Sequence, residues 1–218
     1  MKIKGVISDM DGVMLDSEKL YVRFWCEAGQ FYGFPFEREH ALGIRSMARP
    51  FAIEKLQGWF GDSFDYDLVR NKRIELMNAY VEKHGIEAKT DAERLLSYLK
   101  ENGVKVALAT ATPKDRAEEY LSRVGLLKYF DEVVSARMVK NGKPAPDIYL
   151  YAAEKLGLKP EDCLALEDSQ NGIRSAYAAG CKTVMVPDLD GTTEEIMPLL
   201  YDVADGLRDV VRILNHGR

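Results

Sequence analysis

The sequence predicts an α/β protein: a doubly wound, Rossmann-like parallel sheet carrying an inserted α-helical cap. Three observations predict it. Short apolar runs alternate with amphipathic helical stretches. Each apolar run stops at polar or acidic residues. Residues 17–87 interrupt the alternation with helical spacing alone. Alternating strands and helices favour a parallel sheet covered on both faces, with ligands gathering beyond the carboxyl ends of the strands.

The strand expectations are Ile3–Ser8, Val104–Ala109, Glu132–Val134, Cys163–Leu166 and Thr183–Val186. Their near-continuous apolar character suits strands buried on both faces. Helical patterns follow. Residues 113–124 place Ala117, Tyr120, Leu121 and Val124 on one face, with Thr112, Pro113 and Asp115 as the start signal and Gly125 as the stop. Residues 147–156 carry Ile148, Ala152 and Leu156, and residues 171–179 carry Ile173, Ala176 and Tyr177. Within the insertion, helical spacing recurs at Leu20, Phe24 and Ala28, at Ile53 and Leu56, and at Leu76, Ala79 and Tyr80. The expected division is a core of residues 1–16 and 88–218 with a helical cap of residues 17–87. Phe24, Trp25, Phe31, Tyr32, Phe34, Phe36, Trp59 and Phe60 are expected to form the cap's core. Asp62–Asp67 is expected to be a loop.

Composition narrows the function. The chain has 218 residues, enough for a core and a small second lobe. A net charge of -5, with Lys and Arg scattered, offers no footprint for nucleic acid. An anionic substrate therefore needs local positive charge. Cys26, Cys163 and Cys181 read as free, buried thiols of a reducing compartment. No signal-peptide pattern and no apolar run of about 18 residues is found. The expectation is a cytoplasmic protein with no membrane partner, a monomer or weak dimer.

The chemistry gathers at the strand ends. Asp9 and Asp11 follow the first strand, and Glu167 and Asp168 follow a later one. Close carboxylates repel, so each pair calls for a cation. Mg2+ suits oxygen ligands in an octahedral shell. Thr110 ends another strand, and Lys143 lies in Asn141-Gly142-Lys143-Pro144-Ala145-Pro146-Asp147. Taken singly, each is an ordinary turn, solvated loop or helix-start residue. Converging on one crevice, they would bind a metal and hold a phosphoryl group, whose transfer depends chiefly on positioning and charge stabilisation. The N-terminus of the helix after Thr112 would add donors for phosphate oxygens.

Four motifs in order carry a resemblance: Asp9-Met10-Asp11-Gly12-Val13; Thr110 after its strand; Gly142-Lys143-Pro144-Ala145-Pro146-Asp147; and Leu166-Glu167-Asp168-Ser169, continued by Asn171-Gly172-Ile173. The sequence resembles the haloacid dehalogenase superfamily, in the branch of phosphatases and β-phosphoglucomutases with a helical C1-type cap. The resemblance implies Mg2+ and a small phosphorylated metabolite as substrate. It implies that Asp9 is the nucleophile and a metal ligand. Asp11 would be general acid and then base, binding metal through its main-chain carbonyl. Thr110, Ala111, Thr112 and Lys143 would hold the phosphoryl group, with Glu167 and Asp168 completing the metal set. A carboxyl at position 11 suits an oxygen leaving group.

Tyr21, Trp25 and Arg45 are the expected cap residues facing substrate. Asp16, Ser17 and Glu18 would form the hinge into the cap, with Ser17 as a helix N-cap. The sequence departs from mutase members at Tyr21, where they commonly carry His. Their cap Arg has only loose counterparts, Arg45 or Arg49 in Gly43–Arg49, and Lys89-Thr90-Asp91-Ala92 replaces a usual Pro-Gly. These departures favour a phosphatase over a sugar phosphomutase. A third reading, a non-enzymatic phosphoacceptor module of the receiver type, fits poorly. Receivers are about half this length, lack a cap and accept phosphate after a middle strand.

Overall fold

The computed structural model describes residues 3–45, 47, 49–189 and 191–216. Six parallel strands form one sheet: β1 (Gly5–Ser8), β2 (Lys105–Thr110), β3 (Glu132–Ser135), β4 (Cys163–Glu167), β5 (Lys182–Met185) and β6 (Asp202–Val203), ordered β3-β2-β1-β4-β5-β6. The helices are α1 (Glu18–Phe31), α2 (Arg38–Gly43), α3 (Arg49–Phe60), α4 (Tyr66–His84), α5 (Ala92–Glu101), α6 (Lys114–Arg123), α7 (Asp147–Leu156), α8 (Gln170–Ala178) and α9 (Leu207–His216).

β1 lies between β2 and β4, and the order reverses there, which opens a crevice at the carboxyl ends. Register sets the level of the site. Ser8 sits opposite Leu108 and Leu166, so Asp9 falls beside the ends of β2 and β4. The Asp9 N–H donates to the Leu166 carbonyl at 2.9 Å.

Both faces of β1 are buried because side chains alternate. Val6, Leu108 and Leu164 pack with Leu96 of α5, Leu121 of α6 and Val210 of α9. Ile7, Ala107 and Ala165 pack with Ile148, Tyr149 and Ala152 of α7. Small residues on this second face let α7 approach the sheet. Fully burying one Leu or Ile contributes about 1.5–3 kcal/mol before entropy is charged against it.

Helices α1–α4 occupy the insertion. Val22 and Trp25 of α1 meet Phe36, Leu56, Phe64 and Val69 in a cluster of their own. The adjacent stripe of α1, Leu20 and Phe24, joins Met77 and Val81 of α4 against the sheet's cluster. One helix thus lends an apolar stripe to each of the two clusters. Gly29 is needed in α1, because a Cβ there would overlap the Phe36 ring.

Several expectations are corrected. Phe31 is 65% exposed and Trp59 is 42% exposed, so neither is cap core. Phe31 instead lies under Lys72, whose Nζ is 4.5 Å from the ring centroid. Phe24 packs into the cluster shared with the sheet. The strand and helix ends shift by a residue or two. Helices α5 and α9 and the two-residue strand β6 lie outside the expected alternation. Asp91, in the segment lacking Pro-Gly, takes the left-handed conformation (φ 65°) that glycine adopts most easily.

Candidate active site

The strand ends bring four sequence motifs into one buried cluster. Lys143 is 4% exposed. Its Nζ donates to Asp9 Oδ1 at 2.6 Å, to Glu167 Oε1 at 2.5 Å and to the Ala109 carbonyl at 3.0 Å. Tyr149 OH also donates to Glu167 Oε1, at 2.6 Å, and Ser169 Oγ donates to Glu167 Oε2 at 3.2 Å. One ammonium therefore ties together the ends of β1, β2 and β4.

Two glycines make this packing possible. Gly12 turns the chain after Asp11 with φ 81°, and a Cβ there would overlap the Asp168 carboxylate. A Cβ at Gly172, in the first turn of α8, would overlap the Glu167 carboxylate. The Gly172 N–H donates to Ser169 Oγ at 3.1 Å, which caps α8.

Asp11 is held by hydroxyls. Ser17 Oγ donates to its Oδ1 at 2.5 Å, and Thr112 Oγ1 donates to its Oδ2 at 3.0 Å. This corrects the reading of Ser17: its side chain makes no cap bond to α1. Thr112 is committed in the same way. Its N–H donates to Thr110 Oγ1 at 3.0 Å, and its carbonyl accepts from Ser135 Oγ at 2.8 Å. The sequence reading made Thr112 a phosphoryl contact; its hydroxyl positions Asp11, while Ala111 is exposed beside it in the cavity wall.

Burial dominates the electrostatics. Desolvation pushes Asp9 up to about 7, opposed by Lys143 and reinforced by Glu167 and Asp11. Asp11 is also raised by burial, against the hydrogen bonds from Ser17 and Thr112. Asp168 is raised well above the usual carboxylate range by burial, against the pull of Arg45. Burial works against the charge on Lys143, yet Asp9 and Glu167 outweigh it and hold the ammonium above its ordinary value.

The residues present fit a hard divalent cation. Carboxylate oxygens of Asp9, Glu167 and Asp168 lie within 4.8 Å of one another, all buried. Asp168 Oδ1 is buried without a hydrogen-bond partner. Raised carboxyl pKa values, an orphaned oxygen and an all-oxygen donor set share one remedy, a cation among them. The side chain of Asp11 turns to Ser17 and Thr112 and is not part of the carboxylate trio.

A cavity of about 560 Å³ opens over Asp9 and Asp11, with Tyr21, Trp25, Arg45 and Arg73 in its wall. Tyr21 OH lies 3.4 Å from Thr112 Oγ1. Arg45 reaches the cavity but is engaged by acids: Nη2 donates to Asp168 Oδ2 at 2.6 Å, and Nε lies 3.5 Å from Glu18 Oε2. Burial pushes Glu18 up to about 8, against the charge of Arg45. Arg49, the other counterpart considered, is exposed and paired with Asp67. Ser46 and Ala48 between them lie outside the described residues.

Two site residues escaped the sequence reading. Tyr149 follows the Lys143 motif on the apolar stripe of α7, where nothing marks its hydroxyl. Arg73 lies in Arg70-Asn71-Lys72-Arg73, which reads as a solvated helix face. Its one signal is position: it sits four residues from both Val69 and Met77, which α4 also buries.

Comparison with known proteins agrees with this geometry. The family model described as haloacid dehalogenase-like hydrolase matches residues 3–180. The chain is 34% identical to a phosphorylated carbohydrates phosphatase of Thermotoga maritima, over 84% of each chain. It is 28% identical to the β-phosphoglucomutase of Bacillus subtilis, over 84% of this chain and 83% of that one. A hydrolase from Pseudomonas syringae has the same fold, with a TM-score of 0.84 over 98% of each chain at 24% identity. The four motifs, the parallel sheet that joins them and the match over most of the chain lead to one conclusion: this protein belongs to the haloacid dehalogenase-like hydrolase family.

Proposed function

We propose that this protein is a Mg2+-dependent phosphatase that hydrolyses a small phosphate monoester, a sugar phosphate, through an aspartyl-phosphate at Asp9. One observation carries the reading: Asp9 and Asp11 stand on one turn beneath a single cavity, Asp9 gripped by Lys143 and Asp11 by two hydroxyls. Similarity to the phosphorylated carbohydrates phosphatase supports the substrate class.

A carboxylate oxygen of Asp9 attacks phosphorus as the bond to the ester oxygen breaks. Asp11 gives its proton to that leaving oxygen. Burial raises the affinity of Asp11 for this proton, as a general acid needs. Water then attacks the phosphorus of the aspartyl-phosphate, Asp11 takes the water's proton, and Asp9 is freed with release of inorganic phosphate. Lys143 and the Thr110 hydroxyl hold the phosphoryl oxygens. Asp9, Glu167 and Asp168, with the main-chain carbonyl of Asp11, would hold Mg2+, which supplies positive charge to the phosphoryl oxygens when bound. Residues 17–87 act as the cap that screens the site from bulk water.

The test is phosphate release from a panel of sugar phosphates, nucleotides and phosphoglycolate, with Mg2+ and with EDTA. Activity should require the metal and vanish in Asp9→Asn. Full activity in a clean preparation of Asp9→Asn would remove the nucleophile assignment. The similarity to a β-phosphoglucomutase supports a second reading, sugar phosphomutase. It would show as isomer formation from a glucose phosphate with a bisphosphate primer, in place of phosphate release.

A further inference from the structure

Arg45 follows α2 in the insertion, yet its side chain ends among the carboxylates of the strand ends. Nη2 donates to Asp168 Oδ2 at 2.6 Å and to the Asp168 carbonyl at 3.1 Å, across 123 residues of sequence. The main chain of Arg45 is tied to the same place. Its carbonyl accepts from Asn171 Nδ2, in the first turn of α8, at 3.2 Å. Arg45 and Asp168 are both buried. Side chain and backbone of one residue therefore dock on a single short segment after β4.

The contact divides the Asp168 carboxylate. Oδ2 is taken by the guanidinium, while Oδ1 is buried and accepts no hydrogen bond among the described residues. Asp168 is also one of three carboxylates close enough to share a cation. Both oxygens of a carboxylate carry lone pairs, so one can meet an N–H group and the other a metal. Glu18 Oε2, 3.5 Å from Arg45 Nε, is a counter-charge that weakens repulsion between the guanidinium and such a cation. The trio differs in where its support comes from. Asp9 and Glu167 take side-chain donors from the sheet domain: Lys143 for both, with Tyr149 and Ser169 for Glu167. Asp168 takes its donor from the insertion.

We propose that Arg45 is a positioning residue for the metal ligand Asp168, so that Mg2+ binding and docking of the cap on the core reinforce each other. The proposal rests on the reading of the carboxylate trio as the Mg2+ site. Docked, the guanidinium fixes the rotation of the Asp168 carboxylate and leaves Oδ1 for the cation. Undocked, Asp168 loses that donor, and binding must order it. Partners that orient a metal ligand typically change metal affinity by about 10–100-fold. The coupling is reciprocal: the factor that docking adds to Mg2+ affinity is the factor that Mg2+ adds to docking.

Two measurements on the full chain, neither of them activity, test it. Calorimetric titration with MgCl2 gives the metal affinity. Amide hydrogen exchange over residues 38–45, with and without saturating Mg2+, reports docking of the segment. In wild-type protein Mg2+ should slow this exchange at least threefold. Arg45→Met should weaken Mg2+ binding about tenfold and abolish the slowing, and Arg45→Lys should keep part of both. Should Arg45→Met not fold, Asn171→Ala, which releases the Arg45 main chain and touches no carboxylate, should weaken Mg2+ binding at least threefold. Faster exchange in Arg45→Met with unchanged Mg2+ affinity would make Arg45 merely structural and overturns the proposal. Tighter Mg2+ binding in Arg45→Met also overturns it, because the guanidinium would then compete with the metal. Failure of the metal reading looks different: wild-type protein binds no Mg2+ at millimolar concentration, and the proposal falls with it. Failure of the phosphatase reading alone leaves the coupling intact while no phosphate is released.

Discussion

Lys143 Nζ lies 2.6 Å from Asp9 Oδ1, although 134 residues separate them in the chain. The contact joins the loop after β3 to the end of β1, and the same ammonium neutralises Glu167. Lys143→Met would leave two buried carboxylates facing each other. In the metal-free protein this should cost about 3–5 kcal/mol of stability. Activity should fall at least 10²-fold, the usual effect of removing one donor aimed at developing charge. Thermal melts and phosphate release on one preparation measure both. A melting temperature unchanged without metal would show that the pair is not electrostatically coupled as its geometry implies.

The pH dependence of the metal-free protein follows from the raised carboxyls. Asp9 is pushed to about 7 and Glu18 to about 8, from ordinary values of 3.8 and 4.5. The folded state therefore keeps protons that the unfolded chain has already released. Stability is full below about pH 4 as far as these groups are concerned, and it is lost as pH rises toward 8. The raised Lys143 adds no slope in this window, because it is protonated in both states. The melting temperature without metal should fall by several degrees between pH 5.5 and pH 8. Added Mg2+ should raise it more at pH 8 than at pH 5.5, because ionised carboxylates bind the cation. A metal-free melting temperature that climbs over this range would contradict the carboxyl assignment.

The sheet was legible in the sequence because parallel strands buried on both faces leave continuous apolar runs, and the helices because one face must be apolar. Asp9, Asp11, Lys143 and the acidic pair of Glu167 and Asp168 were legible because they interrupt or follow apolar runs with polar residues that a buried strand end does not otherwise carry. The cap was harder. Phe31 and Trp59 look like core residues by type, but the helix rotation that exposes them depends on partners far along the chain. Ser17 reads as a helix cap, and only the folded turn shows its hydroxyl turned to Asp11. β6 is two residues long and carries no period to detect. Arg73 and Tyr149 were missed for one reason: burial of a polar tip is a tertiary fact, and each tip sits on a helix whose local pattern is ordinary.

Gly172 offers a test of the metal trio that leaves the identity of every carboxylate in it unchanged. A Cβ there would overlap the Glu167 carboxylate, which already serves Lys143, Tyr149 and Ser169. Gly172→Ala must therefore move Glu167 or tilt α8. Mg2+ affinity should drop about 10–100-fold, the size expected when support of a ligand is disturbed. The overpacking should cost about 1–3 kcal/mol. Calorimetric titration with Mg2+ beside a thermal melt separates the two effects. Unchanged affinity would mean that Glu167 is not needed near the cation.

The three cysteines differ enough in environment to be told apart by reactivity. Cys163 opens β4 and Cys181 directly precedes β5; both are buried, and desolvation pushes their thiols up to about 11 and about 12. Cys26 on α1 is half-buried, and its thiol is raised mainly by desolvation. The thiolate is the reacting species, so access and pKa both favour Cys26. At pH 8 a disulfide reagent such as DTNB should titrate one thiol in the native protein, ahead of the other two by at least tenfold in rate. Cys26→Ser should abolish the fast phase, and denaturant should expose the remaining two thiols. A fast phase that survives Cys26→Ser would place a sheet cysteine in reach of solvent, which the packing of α7 and α8 against the sheet forbids.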